Sequence, residues 1–111
     1  MKATATMDLE TVRRSAQDAC RLMKTLSNPD RLLLLCQLMQ GEKRVGELEA
    51  LVDIAQPTLS QQLAVLREEG LVDTRREGKS IHYSIRSGPA LAVIRVLYQQ
   101  FCGNDKGNPL W

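Results

Sequence analysis

The sequence predicts a mainly α-helical domain that carries one small β-hairpin. Apolar residues recur at helical spacing over most of the chain, which predicts amphipathic helices. A short helix is predicted from Gln56 to Arg67, with a proline in its first turn and a glycine just beyond its end. Two β-prone segments, 71–76 and 81–85, then flank a glycine-containing turn at 77–80.

Three helices are predicted before this unit. The first begins at Asp8, and its apolar residues at helical spacing are Leu9, Val12, Ala16, Ala19, Met23 and Leu26. The segment 27–30 ends it and begins the second helix, with Asn28 as N-cap and Pro29 in the first turn. The second helix ends at Gly41 and is apolar on almost every side. We therefore expect it to form the buried centre of the domain.

A third, short helix is predicted from about Val45 to Val52. The residues expected to face inward are Leu48, Leu51 and Val52. About four residues separate this helix from the one that begins at Gln56, which is the proportion of a helix-turn-helix. A last helix begins after Ser87 and carries an apolar stripe of Leu91, Ile94, Leu97, Tyr98 and Phe101.

The helix from Gln56 to Arg67 has two chemically different sides. Its apolar side, expected to anchor it to the core, carries Leu59, Leu63 and Leu66. Uncharged polar residues occupy the other side, and the candidates for DNA contact are Gln56, Thr58, Ser60, Gln61 and Gln62. Gln forms paired hydrogen bonds with adenine, and Thr or Ser contacts several base edges. A plain amphipathic helix is the alternative. The hairpin that follows favours a winged helix-turn-helix, in which this helix enters the major groove.

Basic residues surround the hairpin turn, and the candidates for contact with phosphate or the minor groove are Arg75, Arg76 and Lys79. A glycine in the turn allows the backbone to approach a duplex closely. The alternative is a solvated hairpin with ordinary surface charge. His82, the one histidine of the chain, is expected to be a surface residue of the hairpin rather than a ligand or a proton switch.

Length and composition indicate one ordinary domain: 111 residues, 43% hydrophobic and 25% charged. We expect the domain to span 8–102, with flexible tails at 1–7 and 103–111. A net charge of +2 means that a DNA-binding surface depends on where charges lie. Neither a signal peptide nor an apolar run of about 20 residues occurs, so we expect no membrane association and a cytoplasmic location. Three cysteines without a Cys-x-x-Cys pair argue against a secreted disulfide scaffold.

The first and last helices both carry apolar stripes, although the three other helices already supply a core for so small a domain. Surplus stripes at both ends of a chain favour a two-fold homodimer, which would present two DNA-binding helices to successive major grooves. Closure of the monomer core by the same stripes is the alternative.

Four segments together resemble the ArsR family of bacterial winged-helix repressors: 26–32, 45–48, 56–63 and 66–72. Their order and spacing match over the span from Ala16 to Cys102. The resemblance implies four helices, a two-stranded hairpin and a fifth helix, in a homodimer joined through the first and last helices. It also implies that an inducer weakens operator binding and releases transcription.

Differences from the metal-sensing members of the family limit the classes of inducer that this sequence supports. The start of the third helix lacks the Cys-x-Cys type pattern of arsenic and cadmium sensors, and the last helix lacks His and Asp ligands. No set of zinc ligands or other cofactor site is therefore expected. Cys36 and Cys102 instead resemble the cysteine pair of the family's sulfide-responsive, persulfide-sensing branch. The alternative for Cys36 is plain core packing, since free cysteine behaves as a small hydrophobe. Cys20 is interpreted as packing.

The leading hypothesis is a DNA-binding transcriptional repressor whose operator affinity falls when reactive sulfur species, a persulfide or polysulfide, crosslink Cys36 and Cys102. One thiolate would attack the persulfide sulfur, and the second thiol would resolve the product. The alternative is a repressor that senses a thiophilic metal or metalloid through its cysteines. An enzyme would need a Cys-x-x-Cys or Cys-His arrangement, which the sequence lacks. The operator, the physiological oxidant and the number of sulfur atoms in the crosslink stay open.

Overall fold

The computed structural model describes residues 8–102 and contains five helices and three short strands. In chain order these are α1 (Leu9–Leu26), α2 (Pro29–Leu38), β1 (Lys43–Arg44), α3 (Val45–Val52), α4 (Gln56–Glu68), β2 (Val72–Glu77), β3 (Ser80–Ile85) and α5 (Gly88–Phe101). The predicted fold class, a mainly helical winged helix-turn-helix, is confirmed. The two predicted tails, 1–7 and 103–111, lie outside the described residues.

The predicted helix starts follow from local capping. Asn28 accepts a hydrogen bond from the backbone N–H of Arg31 at 3.1 Å, and Ser87 accepts one from Ala90 at 3.1 Å. Asp8 caps α1 in the same way through Thr11. Each cap satisfies a backbone donor that the first helical turn leaves without a partner. A proline also occupies the first turn of α2, α4 and α5, where no backbone N–H is needed.

The sheet has one strand more than the sequence predicted. The hairpin of β2 and β3 joins through a turn in which Gly78 has a φ of 65°, a conformation that favours glycine. On its other side β3 pairs with β1, so that Lys43 lies opposite Tyr83 and Arg44 opposite His82. A strand of two residues is too short to show period-two alternation, and only pairing with β3 defines it.

The core forms around α2, as predicted, with Leu34 and Leu35 fully buried. The other buried hydrophobic residues are Leu26, Leu38, Leu48, Val52, Leu59, Leu63, Leu66, Leu71, Val72, Ala90 and Ile94. Two expectations about side chains were wrong. Leu33 of α2 is 40% exposed, and Leu51 of α3 is 55% exposed instead of facing inward. The residue that follows each of these leucines, Leu34 in α2 and Val52 in α3, is buried in the core. Because adjacent residues of a helix point in different directions, Leu33 and Leu51 are turned away from it.

The apolar stripe of α1 does not close the core of the single chain. Leu26, at the end of the helix, is buried, whereas Leu9 is 68% and Met23 57% exposed. On α5, Ala90 and Ile94 are buried but Phe101 is 52% exposed. The described chain therefore leaves apolar surface on its first and last helices. None of the helices within 8–102 is both long and apolar enough to cross a membrane.

Candidate nucleic-acid interface and thiol pair

Helix α4 divides its two sides as the sequence predicted. Leu59, Leu63 and Leu66 are at most 1% exposed and attach the helix to the core. The candidates for DNA contact lie elsewhere on the helix: Gln56, Ser60 and Gln61 are exposed, and Thr58 and Gln62 are half-buried. Because three buried leucines fix the rotation of α4 about its axis, the exposed polar side chains have a defined direction.

Two of these polar side chains bind each other. The Ser60 hydroxyl donates to Oε1 of Gln56 at 2.7 Å, a contact one helical turn apart. Among residues 8–102, Gln61 has no side-chain hydrogen bond, and its amide is available to an external partner. Gln61 and the Gln56–Ser60 pair therefore form the open polar surface of α4.

Gln62 is turned back towards the protein. Its Oε1 accepts a hydrogen bond from Nη1 of Arg31 at 2.9 Å, while Nε of Arg31 donates to the carbonyl oxygen of Thr25 at 2.6 Å. The Gln62 oxygen is therefore engaged within the domain. No sequence pattern indicated Arg31 as its partner, because 31 positions separate the two residues.

The basic residues of the wing, which is the β2–β3 hairpin, fall into two groups. Arg75 binds both oxygens of Glu42, at 2.8 and 3.0 Å, and Glu77 at 3.1 Å. The Arg75 hydrogen bond lowers the pKa of Glu42, and the two carboxylates raise the pKa of Arg75. Arg76 and Lys79 are exposed at the end of the hairpin. The structure thus places Arg75 in an ion-pair cluster and leaves Arg76 and Lys79 pointing to solvent.

His82 is not the surface residue that the sequence predicted, since its side chain is only 16% exposed. It lies on β3, the central strand, between β1 and β2. Its Nδ1 is 3.8 Å from Glu42 and its Nε2 is 3.6 Å from Glu77. The unpredicted strand β1 explains why the His82 side chain is mostly buried. Pairing with β1 makes β3 the middle strand of the sheet instead of an edge strand.

The three cysteines have different surroundings, and all are free thiols. Cys36 on α2 is half-buried against the core, and Cys102, the C-cap residue of α5, is exposed. Burial raises the pKa of the Cys36 thiol, and the charge of the Cys102 thiolate raises it further. The fold thus brings Cys36 and Cys102 within electrostatic reach of each other. Cys20 is exposed on α1, so its interpretation as a packing residue is wrong for the single chain. Within 8–102, no cluster of three or more His, Cys, Asp and Glu residues is arranged to hold a metal ion.

A helix-turn-helix with a polar exposed face, followed by a basic wing, defines a class: the winged-helix DNA-binding regulators. The family model described as "Bacterial regulatory protein, arsR family" matches residues 28–74. The biofilm growth-associated repressor of Agrobacterium fabrum is 52% identical over 98 residues, which are 88% of this chain and 84% of the relative. The transcriptional activator HlyU of Vibrio cholerae is 38% identical over 98 residues, or 88% of this chain and 91% of that protein.

The crystal structure of the transcriptional repressor BigR from Xylella fastidiosa superposes with a TM-score of 0.79 at 49% identity, covering 86% of this chain and 98% of that one. The chain belongs to the ArsR family of bacterial regulatory proteins, a family of DNA-binding transcriptional regulators and not of enzymes. The resemblance drawn from the four sequence segments is confirmed.

Alkylation tests the environment of the Cys36 thiol. Only the thiolate is nucleophilic, and a raised pKa keeps Cys36 protonated in the neutral range. We expect iodoacetamide to modify Cys36 more slowly in the native than in the unfolded protein. The rate should rise at a higher pH in the native protein, because the pKa of its Cys36 thiol is raised. Cys102→Ser removes the neighbouring thiolate and should speed the modification of Cys36 at a given pH, whereas Cys20→Ser should not. Peptide mass spectrometry gives the rates, and equal rates in both variants would contradict the proximity of the pair.

Proposed function

We propose that this protein is a dimeric transcriptional repressor that binds its operator through α4 and the wing, and releases it when reactive sulfur species crosslink Cys36 and Cys102. The observation that carries the proposal is the coexistence of two features in one small domain. One is the exposed polar face of α4, seated on three buried leucines. The other is the proximity of Cys102 to the half-buried Cys36, whose thiol pKa its charge helps to raise. Repression, rather than activation, is proposed because relatives at about half identity are named as repressors.

Base contact is assigned to the open surface of α4. The residues proposed to contact base edges are Gln56, Thr58, Ser60 and Gln61. Gln62 stays a candidate, although its amide oxygen already binds Arg31. The N-terminal half of the second helix of a helix-turn-helix is the part that enters the major groove, and all these residues lie in the first seven positions of α4.

Phosphate contact is assigned chiefly to Arg76 and Lys79. Both are exposed near the turn of the wing. The charge of Arg75 is largely offset by Glu42 and Glu77, so Arg75 contributes less to the attraction of DNA.

Dimerisation is supported by the apolar surface left on α1 and α5. Large exposed apolar surface commonly marks a protein interface, and here the exposed residues are Leu9, Val12, Met23, Val96, Tyr98 and Phe101. A two-fold axis at this surface would place two copies of α4 on one duplex.

The proposed sulfur chemistry begins at the more accessible thiol. The Cys102 thiolate attacks the outer sulfur of a persulfide RSSH, and the S–S bond breaks to release the thiol RSH. The Cys36 thiolate then attacks the Cys102 sulfur of the new persulfide, and hydrogen sulfide leaves. Two protein thiols are oxidised to a disulfide, while the persulfide is reduced to a thiol and hydrogen sulfide. A second persulfide anion RSS⁻ can attack this disulfide and displace one cysteine thiolate. That thiolate then attacks the transferred sulfur atom and releases RSH, so that one more sulfur atom lies between the two cysteines.

The crosslink would join the end of α5 to α2, the helix that seats α4 through the core. Moving α5 against α2 would change the position of α4 relative to the dimer surface. Coupling between two such sites is typically about 1–3 kcal/mol, or roughly 5–150-fold in affinity.

Substitution of Gln61 tests the α4 surface. A residue in a paired base contact contributes about 1–3 kcal/mol of discrimination. Gln61→Ala should therefore weaken binding to an operator selected by the wild-type protein far more than binding to random duplex, as measured by gel shift. Arg14→Gln on α1 is the control, since among residues 8–102 its side chain pairs only with Glu10 of the same helix. Equal loss on both duplexes would show that α4 lies on phosphates alone.

Two wing variants test the division between Lys79 and Arg75. Each phosphate contact contributes about one unit to the salt dependence of binding. Lys79→Ala should weaken binding to all sequences alike and reduce the salt slope by about one unit per protomer. Arg75→Ala removes a charge that carboxylates already offset, so its effect on the slope should be smaller. The same slope change for both variants would contradict this assignment.

Three cysteine variants test the switch. Cys36→Ser and Cys102→Ser should each bind the selected operator normally and no longer release it after polysulfide treatment, because neither forms the crosslink. Cys20→Ser should behave as the wild-type protein. Intact mass and gel shift on the same sample report crosslink and release together, with peroxide for comparison. Release retained in both single variants would overturn the switch, and a mass increase equal to a bound metal or metalloid would favour the alternative inducer.

A further inference from the structure

Helices α1 and α4 do not lie side by side. A cleft of about 320 Å3 separates them, lined by Arg21, Lys24, Thr25, Arg31, Val65 and Glu69. Yet two polar connections cross from the last turns of α1 to α4, and neither belongs to the hydrophobic core.

The first connection joins Arg21 to the C-cap of α4. Nε of Arg21 donates to Oε1 of Glu69 at 2.7 Å, and Nη2 faces Oε2 at 3.5 Å. The contact is strong enough to lower the pKa of the Glu69 carboxyl. Glu69 is half-buried, so this end of the ion pair is partly shielded from water.

The second connection runs through Arg31. Its Nε donates to the carbonyl oxygen of Thr25, in the last turn of α1, at 2.6 Å. Its Nη1 donates to Oε1 of Gln62 on α4 at 2.9 Å. An arginine only donates, so this contact also fixes the orientation of the Gln62 amide, with the oxygen towards Arg31. Thr25 is 7% exposed, so the α1 end of the connection is buried.

A single attachment point would let α4 pivot, whereas two attachment points determine its orientation. Gln62 and Glu69 lie about two helical turns apart on α4. We propose that Arg21 and Arg31 are positioning residues, which fix the angle of α4 relative to α1 and thereby the spacing of the two α4 helices in the dimer. The inference rests on the proposed function, in which α1 belongs to the dimer surface and both α4 helices contact one duplex.

A small change of this angle is significant for DNA. A helix of 13 residues is about 20 Å long, so a tilt of about 10° moves one end by roughly 3 Å. That displacement is close to the separation of successive base pairs, about 3.4 Å along the duplex. Exposed ion pairs contribute little to stability, so the connections are expected to affect geometry more than folding.

The test uses the full-length protein and four duplexes. The first is a two-half-site duplex selected by the wild-type protein from a randomised pool. The second has one half-site scrambled, and the others have the half-sites one base pair closer or further apart. Arg21→Gln and Arg31→Gln each break one connection without changing a residue assigned to DNA contact. Arg14→Gln is the matched control, with the same charge change on the same helix and an ion pair confined to α1.

We expect the double variant Arg21→Gln/Arg31→Gln to lose at least about fivefold in affinity for the two-half-site duplex. Its affinity for the scrambled duplex should stay within about twofold, and its preference for the selected spacing should disappear. Arg14→Gln should retain that preference. The exchange Arg21→Glu with Glu69→Arg should restore the first connection.

Two results would overturn the inference: unchanged spacing preference in the double variant, or equal loss on the two-half-site and scrambled duplexes. Failure of the proposed function would be seen in the measurements on the wild-type protein and not in those on the variants. A wild-type protein without spacing preference would refute the paired α4 arrangement, and the inference with it.

Discussion

The burial of α2 is the constraint on which the other elements depend. This helix packs against α1, α3, α4, α5 and β3, and its residues Leu34 and Leu35 are fully buried. A buried leucine contributes about 1.5–3 kcal/mol from removal of its apolar surface from water. The net stability of a domain is only of the order of 5–15 kcal/mol. The burial of a few such leucines is therefore enough to determine whether the other helices stay packed on α2.

The same constraint gives α4 its direction. Leucines on one side of α4 pack in the core, so that Gln56, Ser60 and Gln61 on the other side face solvent. A separate set of polar contacts, from Arg21 and Arg31, connects α4 to the end of α1. Hydrophobic burial is non-directional, whereas hydrogen bonds from a planar guanidinium require defined geometry. The core therefore holds α4 in place, and the arginines restrict its angle.

The position of Cys36 combines packing and chemistry in one residue. It lies on the central helix, half-buried, where a thiol packs as a small apolar group and where burial raises its pKa. Cys102, at the end of α5, is exposed. A thiol reagent in the solvent thus meets one accessible thiol first and a protected thiol second. Such an order suits a two-step thiol exchange, because the second step is intramolecular.

The sequence by itself determined the helices, their caps and the buried side of α4, because these depend on residues three or four positions apart. It also identified the family, since four segments at fixed spacing carry the resemblance. Only the tertiary structure decided the pairing of β1, the covering of His82, the exposure of Leu51 and Cys20, and the partners of Arg75 and Gln62. Each depends on residues distant in the chain, such as Glu42 and Arg75, 33 positions apart. Hydrophobic periodicity records which side of a helix is buried, but it carries no information on which polar groups meet after folding.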